Sequence, residues 1–365
     1  MEDNIFLPAF GVRPQRIVGR NEIVADYLDG LKRPPGHPVR ATFYKGQRGM
    51  GKTALLIEIA AKAISYNFVV ARVTASEQMT DEIIQTIQIN GEQYIPSKKN
   101  MKSVSAGALG FSFGLTFSDE TEQKYGFRIK LSMLLDELKK YGKGILILVD
   151  EVQQTNAAMR ELATTYQHLI GEGKNIAIAM AGLPSAVSSI LNDDILTFLN
   201  RANKVELGPI ALSDVSLYYS DVFSKAEKKI AVGLLDKAVA ATKGYPYLLQ
   251  LIGYYIIEYT GEKRTITGEI VEESIRMSMS RLVENVHLTS LKVLSDKDIE
   301  FLRAMSEDSA ESNIADVMER LRISNSYAQQ YRQRLIDAGV IVAERRGSIS
   351  LAVPYLGEYL RGELV

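Results

Sequence analysis

Tyr44-Lys45-Gly46-Gln47-Arg48-Gly49-Met50-Gly51-Lys52-Thr53 is the stretch that decides how this chain is read. The five residues 40–44 before it predict a short β-strand, and residues 54–62 after it predict an amphipathic helix. From Gly46 the sequence fits G-x-x-x-x-G-K-[ST], and strand, glycine-rich turn and helix are the context in which that pattern cradles phosphate. Glycines let successive backbone N–H groups turn inward, and a helix starting near Gly51 adds its partial positive charge. Lys52 then reaches the β- and γ-phosphates, and the Thr53 hydroxyl holds Mg²⁺. An ordinary glycine-rich turn shares this composition, but the flanking strand and helix favour a nucleotide site.

Composition bounds the alternatives. A chain of 365 residues predicts more than one core, and 46% hydrophobic with 24% charged residues is the balance of a globular protein. The formal net charge of −1 gives no global pull on nucleic acid or membrane, so any DNA contact has to be local. The absence of cysteine excludes disulfides, thiolate metal sites and thiol catalysis. No basic leader or membrane-length apolar run is seen, so a cytoplasmic location with no membrane partner is expected. His37, His168 and His287 lie far apart and in no ligand spacing.

Along the chain, Asn21 is placed to cap a helix over 22–31. Buried strands are expected at 68–73, 145–151, 176–181 and 204–207, with helices at 81–89 (capped by Thr80), 127–141 and 157–170 between them. Strands alternating with helices argue for an α/β fold, a parallel five-stranded sheet with helices on both faces. Within 97–121, residues 111–117 alternate as one half-buried strand. Residues 103–106 are its expected hairpin partner, the pair extending the main sheet or projecting as a flap. Past Gly208 no strand run appears for about eighty residues. Helices over 231–242, 246–259 and 269–284, and one capped by Ser213, predict an all-helical module. Three further helices, 296–305, 313–321 and 325–338, precede a hairpin over 340–343 and 348–352, a winged helix-turn-helix pattern. The expected division is 1–208, 209–290 and 291–365.

Asp150 and Glu151 complete the opening site. Four apolar strand residues deliver two adjacent carboxylates to the C-terminal sheet edge, where open α/β folds bind ligands. Asp150 suits Mg²⁺, and Glu151 suits activation of the water that attacks the γ-phosphate. Asn203-Lys204-Val205-Glu206 only imitates a guanine-specificity motif, since it ends in Glu and no GTPase switch features accompany it.

The loop, the Ile145-to-Glu151 strand, the Val18-Gly19-Arg20 box and a helical lid together resemble the AAA+ superfamily of P-loop NTPases. Within it they are similar to the origin-recognition-like and STAND-type ATPases of bacteria and archaea, which append a winged helix. Gly244-Tyr245-Pro246 resembles the Gly-x-Pro motif that such proteins set in the lid against the nucleotide. The resemblance implies that Val18 and Gly19 border adenine with Arg20 nearby, and that Tyr245 and Pro246 face the nucleotide from the lid. It also implies that Arg201 lies in the arginine-finger region, stabilising the transferring phosphoryl group of an adjacent subunit in a homo-oligomer. Two departures imply slow turnover: Ala181-Gly182-Leu183-Pro184 lacks the polar residue that positions water, and the lid has no arginine beside its Gly-Tyr-Pro.

The evidence for DNA is local. On the helix over 325–338, Ala328, Tyr331, Leu335 and Ala338 share a core face, while Ser326, Gln329, Gln330 and Gln333 fall opposite, flanked by Arg332 and Arg334. Glutamine pairs with adenine and arginine with guanine or phosphate. Between 320 and 347 six arginines, including Arg345 and Arg346 of the wing, meet only Asp337 and Glu344. The expected function is an ATP-binding, slowly hydrolysing switch coupled to double-stranded DNA. The competing readings are a nucleotide-sensing DNA-binding regulator without significant turnover and a protein-interaction switch without a DNA role.

Overall fold

The structure is a computed structural model that describes residues 5–8, 15–95, 111–113, 115–153, 155–345 and 347–364. Five parallel strands form the main sheet: β1 (Ala41–Lys45), β2 (Phe68–Thr74), β3 (Gly144–Val152), β4 (Ile176–Gly182) and β5 (Asn203–Glu206), in the spatial order β2-β3-β4-β1-β5. Burial on both faces explains the near-continuous apolar runs. The strand period of two sends alternate residues to two separate cores. Leu146, Leu148, Ala177, Ala179 and Ala181 face α1 (Asn21–Leu31) and α2 (Lys52–Ala63). Ile145, Ile147, Val149, Ile176, Ile178 and Met180 face α3 (Met79–Glu92), α4 (Phe127–Lys139), α5 (Ala157–Gly171) and α6 (Pro184–Leu191).

Order reverses at β1. The chain leaves it for the far edge at β2, returns through β3 and β4, and crosses to β5. That reversal opens a crevice at the C-terminal strand ends, between the loop after β1 and the carboxylates ending β3.

Three expected caps are replaced. Arg20, not Asn21, is the N-cap of α1, and its guanidinium is held by the Gly208 carbonyl. Gln78 starts α3, with Thr80 inside its first turn, and Ala211 starts α7 (Leu212–Lys225), with Ser213 inside it. In each case a good capping residue stands one or two positions past the start. None of the three N-caps has a side-chain hydrogen bond to the helix, so tertiary packing sets the entry.

Residues 111–117 do not make one strand, nor do they extend the main sheet. Phe111–Phe113 and Thr116–Phe117 pair with each other in a separate two-stranded sheet. Leu115 and Phe117 are buried in the α3/α4 core, and Gln88 donates to the Leu115 carbonyl at 2.8 Å. Burial of Leu115 takes this segment out of the strict alternation that residues 111–117 suggest. The expected partner at 103–106 lies outside the described residues.

Beyond β5 come α7, α8 (Val232–Ala241), α9 (Pro246–Thr260) and α10 (Gly268–Leu282), with one two-residue parallel pairing, Lys229–Ile230 with Thr265–Ile266. Their core is continuous with the α2 face of the sheet. Helix α10 runs into a π-turn, Val283–His287, and a last turn, Leu288–Leu291. The C-terminal segment packs its own core of Phe301, Leu302, Val317, Leu335, Ile341 and Ile349. It comprises α11 (Asp296–Ser306), α12 (Ile314–Leu321), α13 (Asn325–Asp337), a short α14 (Leu356–Leu360), and an antiparallel sheet of β6 (Glu311–Asn313), β7 (Ile341–Arg345) and β8 (Ser348–Leu351). β6 is additional to the expected hairpin, because Glu-Ser-Asn carries no alternation to betray a strand. Among the described residues no helix is long and apolar enough to cross a membrane.

The N-terminal residues 5–8 strap the helical module. Phe6 is fully buried, edge-on to Tyr218 and Tyr219 at 5.6 Å. Gly253 makes the socket, since a Cβ there would come within 2.3 Å of the Phe6 ring. Leu7 N–H donates to Gln250 Oε1 at 3.0 Å. Replacing a fully buried aromatic removes both transfer energy and packing, so Phe6→Ala should cost about 3–5 kcal/mol, read as a lowered denaturation midpoint at unchanged m-value.

Candidate functional site

The loop after β1 owes its path to glycines. Gly49 and Gly51 take φ of 75° and 78°, a region open to glycine and costly for other residues. A Cβ on Gly49 would lie 2.0 Å from the Tyr245 hydroxyl, and one on Gly46 would lie 2.9 Å from the Leu207 carbonyl oxygen. α2 then begins at Lys52, with Gly51 as its N-cap.

Lys52 folds back on the loop, donating to the carbonyls of Gly46 (2.7 Å) and Gln47 (2.8 Å). Burial pushes its pKa down to about 8, against the pull of Asp150, which favours the ammonium. These carbonyls are weak partners for a desolvated cation, so phosphate oxygens would displace them at a gain.

Across the crevice β3 ends in a bulge: its register with β4 shifts between Val149 and Val152, where Asp150 and Glu151 sit. Asp150 is buried and accepts the Glu151 N–H at 2.9 Å. Glu151 is exposed and takes φ of 52°, which costs a non-glycine residue about 1–2 kcal/mol. The strain turns its carboxylate out of the strand. Gly182 is needed opposite, since a Cβ there would meet the Val152 carbonyl oxygen at 2.6 Å.

These parts share one cleft of 1380 Å³. Among the expected site residues, Val18, Arg20, Arg48, Gly49, Met50, Gly51, Lys52, Thr53, Asp150, Glu151 and Pro246 line it, while Gly19, Gly46, Gln47 and Tyr245 are not in its wall. Gly19 instead packs under Ile210, where a Cβ would come to 2.8 Å. Tyr245 lies behind the loop, buried, with its hydroxyl donating to the Arg48 carbonyl at 2.6 Å. Burial raises the pKa of that phenol and lowers that of the Arg20 guanidinium. Arg201 is exposed on the turn Thr197–Arg201 before β5 and takes no part in the cleft.

The cleft also has walls that sequence reasoning missed. Gln153 and Asn156 follow Asp150-Glu151 directly, and their closeness in sequence was the available signal. Leu7 and Pro8, Ser185, Gln250 and Asp337 come from remote segments and carried none. Among the described residues no group of three or more His, Asp or Glu could hold a metal ion. A cation at Thr53 and Asp150 therefore fits only if phosphate and water supply the remaining oxygens.

On α13, Ala328 and Leu335 are buried, Tyr331 and Ala338 half-buried, and Gln329, Gln330 and Gln333 exposed. The arginines are less free than their spacing suggests. Arg334 pairs with Asp298 at 2.6 Å and lies over the Tyr331 ring, and Arg345 sits 3.4 Å from Glu311. Arg332 is half-buried, and Arg346 lies outside the described residues.

Comparison with known proteins follows this geometry. A family model described as a domain of unknown function (DUF8462) matches residues 284–360. Comparison with curated proteins returns no match. Among solved structures, the chain is similar to the Walker-type ATPase PABY2304 of Pyrococcus abyssi, with a TM-score of 0.69 at 16% identity, covering 96% of this chain and 97% of that one. It is also similar to the ORC2 protein of Aeropyrum pernix, solved as ADPNP–ADP complexes, with a TM-score of 0.62 at 13% identity over 98% and 96%. For CDC6P from Pyrobaculum aerophilum the TM-score is 0.50 at 16% identity over 100% and 99%. The chain thus carries the P-loop NTPase fold, and its structural neighbours are the Walker-type and Orc/Cdc6 proteins of the AAA+ superfamily.

Proposed function

We propose that this cleft binds ATP with Mg²⁺, hydrolyses it slowly, and uses the nucleotide state to position the C-terminal module. The observation that carries the reading is one crevice holding Lys52 and Thr53 on a glycine-shaped loop and Asp150 with Glu151 on a strained bulge opposite. The ADPNP–ADP complexes of the A. pernix protein support it at the level of the fold.

Backbone N–H groups of residues 46–53 cradle the phosphates, and Lys52 exchanges its two loop carbonyls for phosphate oxygens. Mg²⁺, held by Thr53 and Asp150, would neutralise phosphate charge. Glu151 is the general base for the attacking water. Val18, Gly19 and Arg20 border the base, and Tyr245 and Pro246 transmit loop occupancy to the lid. Arg201, exposed and remote from its own cleft, acts only on a neighbouring copy. With no polar side chain at Ala181, turnover is slow, as a switch requires. The expected boundaries 1–208, 209–290 and 291–365 are the division we propose, located in the cytoplasm.

For the C-terminal module we propose a winged helix that binds duplex DNA. The exposed glutamines of α13 favour this over a protein-only role, with Gln329 and Gln330 reading bases and Arg332, Arg345 and Arg346 contacting phosphate. Gln333 and Arg334 are engaged with Asp337 and Asp298 and contribute less.

Lys52→Ala should abolish ATP binding in equilibrium dialysis, whereas Glu151→Gln should keep the affinity and lower turnover by ~10²-fold or more. Because the ammonium binds phosphate and its pKa lies near 8, wild-type affinity should fall as pH rises through 8, about tenfold by pH 9.5. A flat profile over that range would remove Lys52 from its role. Neutralising Arg332 and Arg345 together should weaken duplex binding and reduce the salt slope by about 2, and an unchanged slope would favour the protein-only reading.

A further inference from the structure

The C-terminal end of α13 lies in the same cleft as the phosphate loop. Ser185 Oγ donates to the backbone carbonyl of Asp337 at 3.2 Å, joining residues 152 apart in sequence. Asp337 and Ala338 line the crevice together with Lys52, Thr53 and Asp150. One residue further, Gly339 approaches so closely that a Cβ would stand 3.1 Å from Gln47 Oε1 and from Leu183. Gln47 Oε1 is itself buried without a hydrogen-bond partner.

We infer that this helix end is a tethered stand-in for the terminal phosphate of a nucleoside triphosphate, seated on Ser185 when that phosphate is absent and displaced when it arrives. The inference rests on the nucleotide reading of the cleft and adds which ligand state releases the module, and by what contact. A helix C-terminus presents unsatisfied carbonyl oxygens with about half a negative charge, and the Asp337 carboxylate adds to it. A terminal phosphate entering the same partly desolvated crevice is repelled by both, while a diphosphate ends short of them. Ser185 has one proton to donate, so it serves the Asp337 carbonyl or a phosphate-side oxygen but not both. It is also a hydroxyl of this cleft just past the strand end Ala181-Gly182, which offers no polar side chain.

The rest of the docked state is a set of breakable contacts around the π-turn. Lys243 pairs with Glu358 at 2.9 Å and lies 3.7 Å over the Tyr355 ring, and Tyr355 donates to the Ala241 carbonyl at 2.8 Å.

The chain has no cysteine, so Ser185→Cys with Asp337→Cys supplies its only two thiols. In the full-length double variant, disulfide formation should be fast without nucleotide and with ADP, and at least tenfold slower with ADPNP and Mg²⁺. An unchanged rate with ADPNP shown to be bound by equilibrium dialysis would overturn the stand-in while sparing the nucleotide site. Failure to bind ADPNP in the wild type would overturn the nucleotide reading and this inference with it. Asp337→Asn provides an independent check, with ATP affinity rising several-fold and ADP affinity unchanged; equal shifts for both would contradict it.

Discussion

The hydroxyl of Tyr245 on the carbonyl of Arg48, 2.6 Å apart and buried, is the contact on which the rest of the molecule depends. It fixes the phosphate loop to the helical module, and it demands glycine at 49, because any side chain there would occupy the phenol's place. The preceding Gly244 is equally constrained, with φ of 68° and a Cβ position 2.2 Å from the Ile210 carbonyl oxygen. Ile210 N–H in turn donates to the Gly244 carbonyl at 2.7 Å. Loop, β5 exit and lid are therefore one rigid corner, and a shift in loop backbone has a direct route to α9.

From that corner, force passes on through helices. α9 packs on α10, and α10 leads into the π-turn Val283–His287, where the helix changes pitch before the C-terminal module. His287 is buried, its pKa pushed down to about 4 by desolvation, and its ring nitrogen is 3.0 Å from the Pro354 carbonyl. A neutral imidazole donating there suits a joint that must not gain charge near neutral pH. π-Turns mark strained points in helices, and one placed between two packed modules is a natural pivot.

Much of this was legible in the sequence. The five strands of the sheet lie within a residue or two of their expected limits, because apolar runs bounded by glycine and asparagine leave little freedom. Gly339 ends α13 in the left-handed region, as its position after a periodic run implies. The loop and the Asp150-Glu151 pair were readable because each is short and local. What was hidden is everything set by contacts between distant segments: the caps at Arg20, Gln78 and Ala211, the third strand β6, the burial of Leu115, and the descent of α13 into the cleft. Arg334 shows the difference well. Its spacing advertised a free cation on a reading face, yet Asp298, the reciprocal capping residue of α11, holds it inside the module. Glu151 shows the converse, since a motif position turned out to carry backbone strain that no pattern reports.

The central claim is that residues 46–53 and the bulge at Asp150-Glu151 form one triphosphate site whose filling loosens α13. Amide hydrogen exchange on the full chain, with and without ADPNP and Mg²⁺, tests it most directly. The account predicts slower exchange across 46–53 and 150–152 together with faster exchange at 335–340. Exchange that stays unchanged in the loop at saturating nucleotide would contradict it.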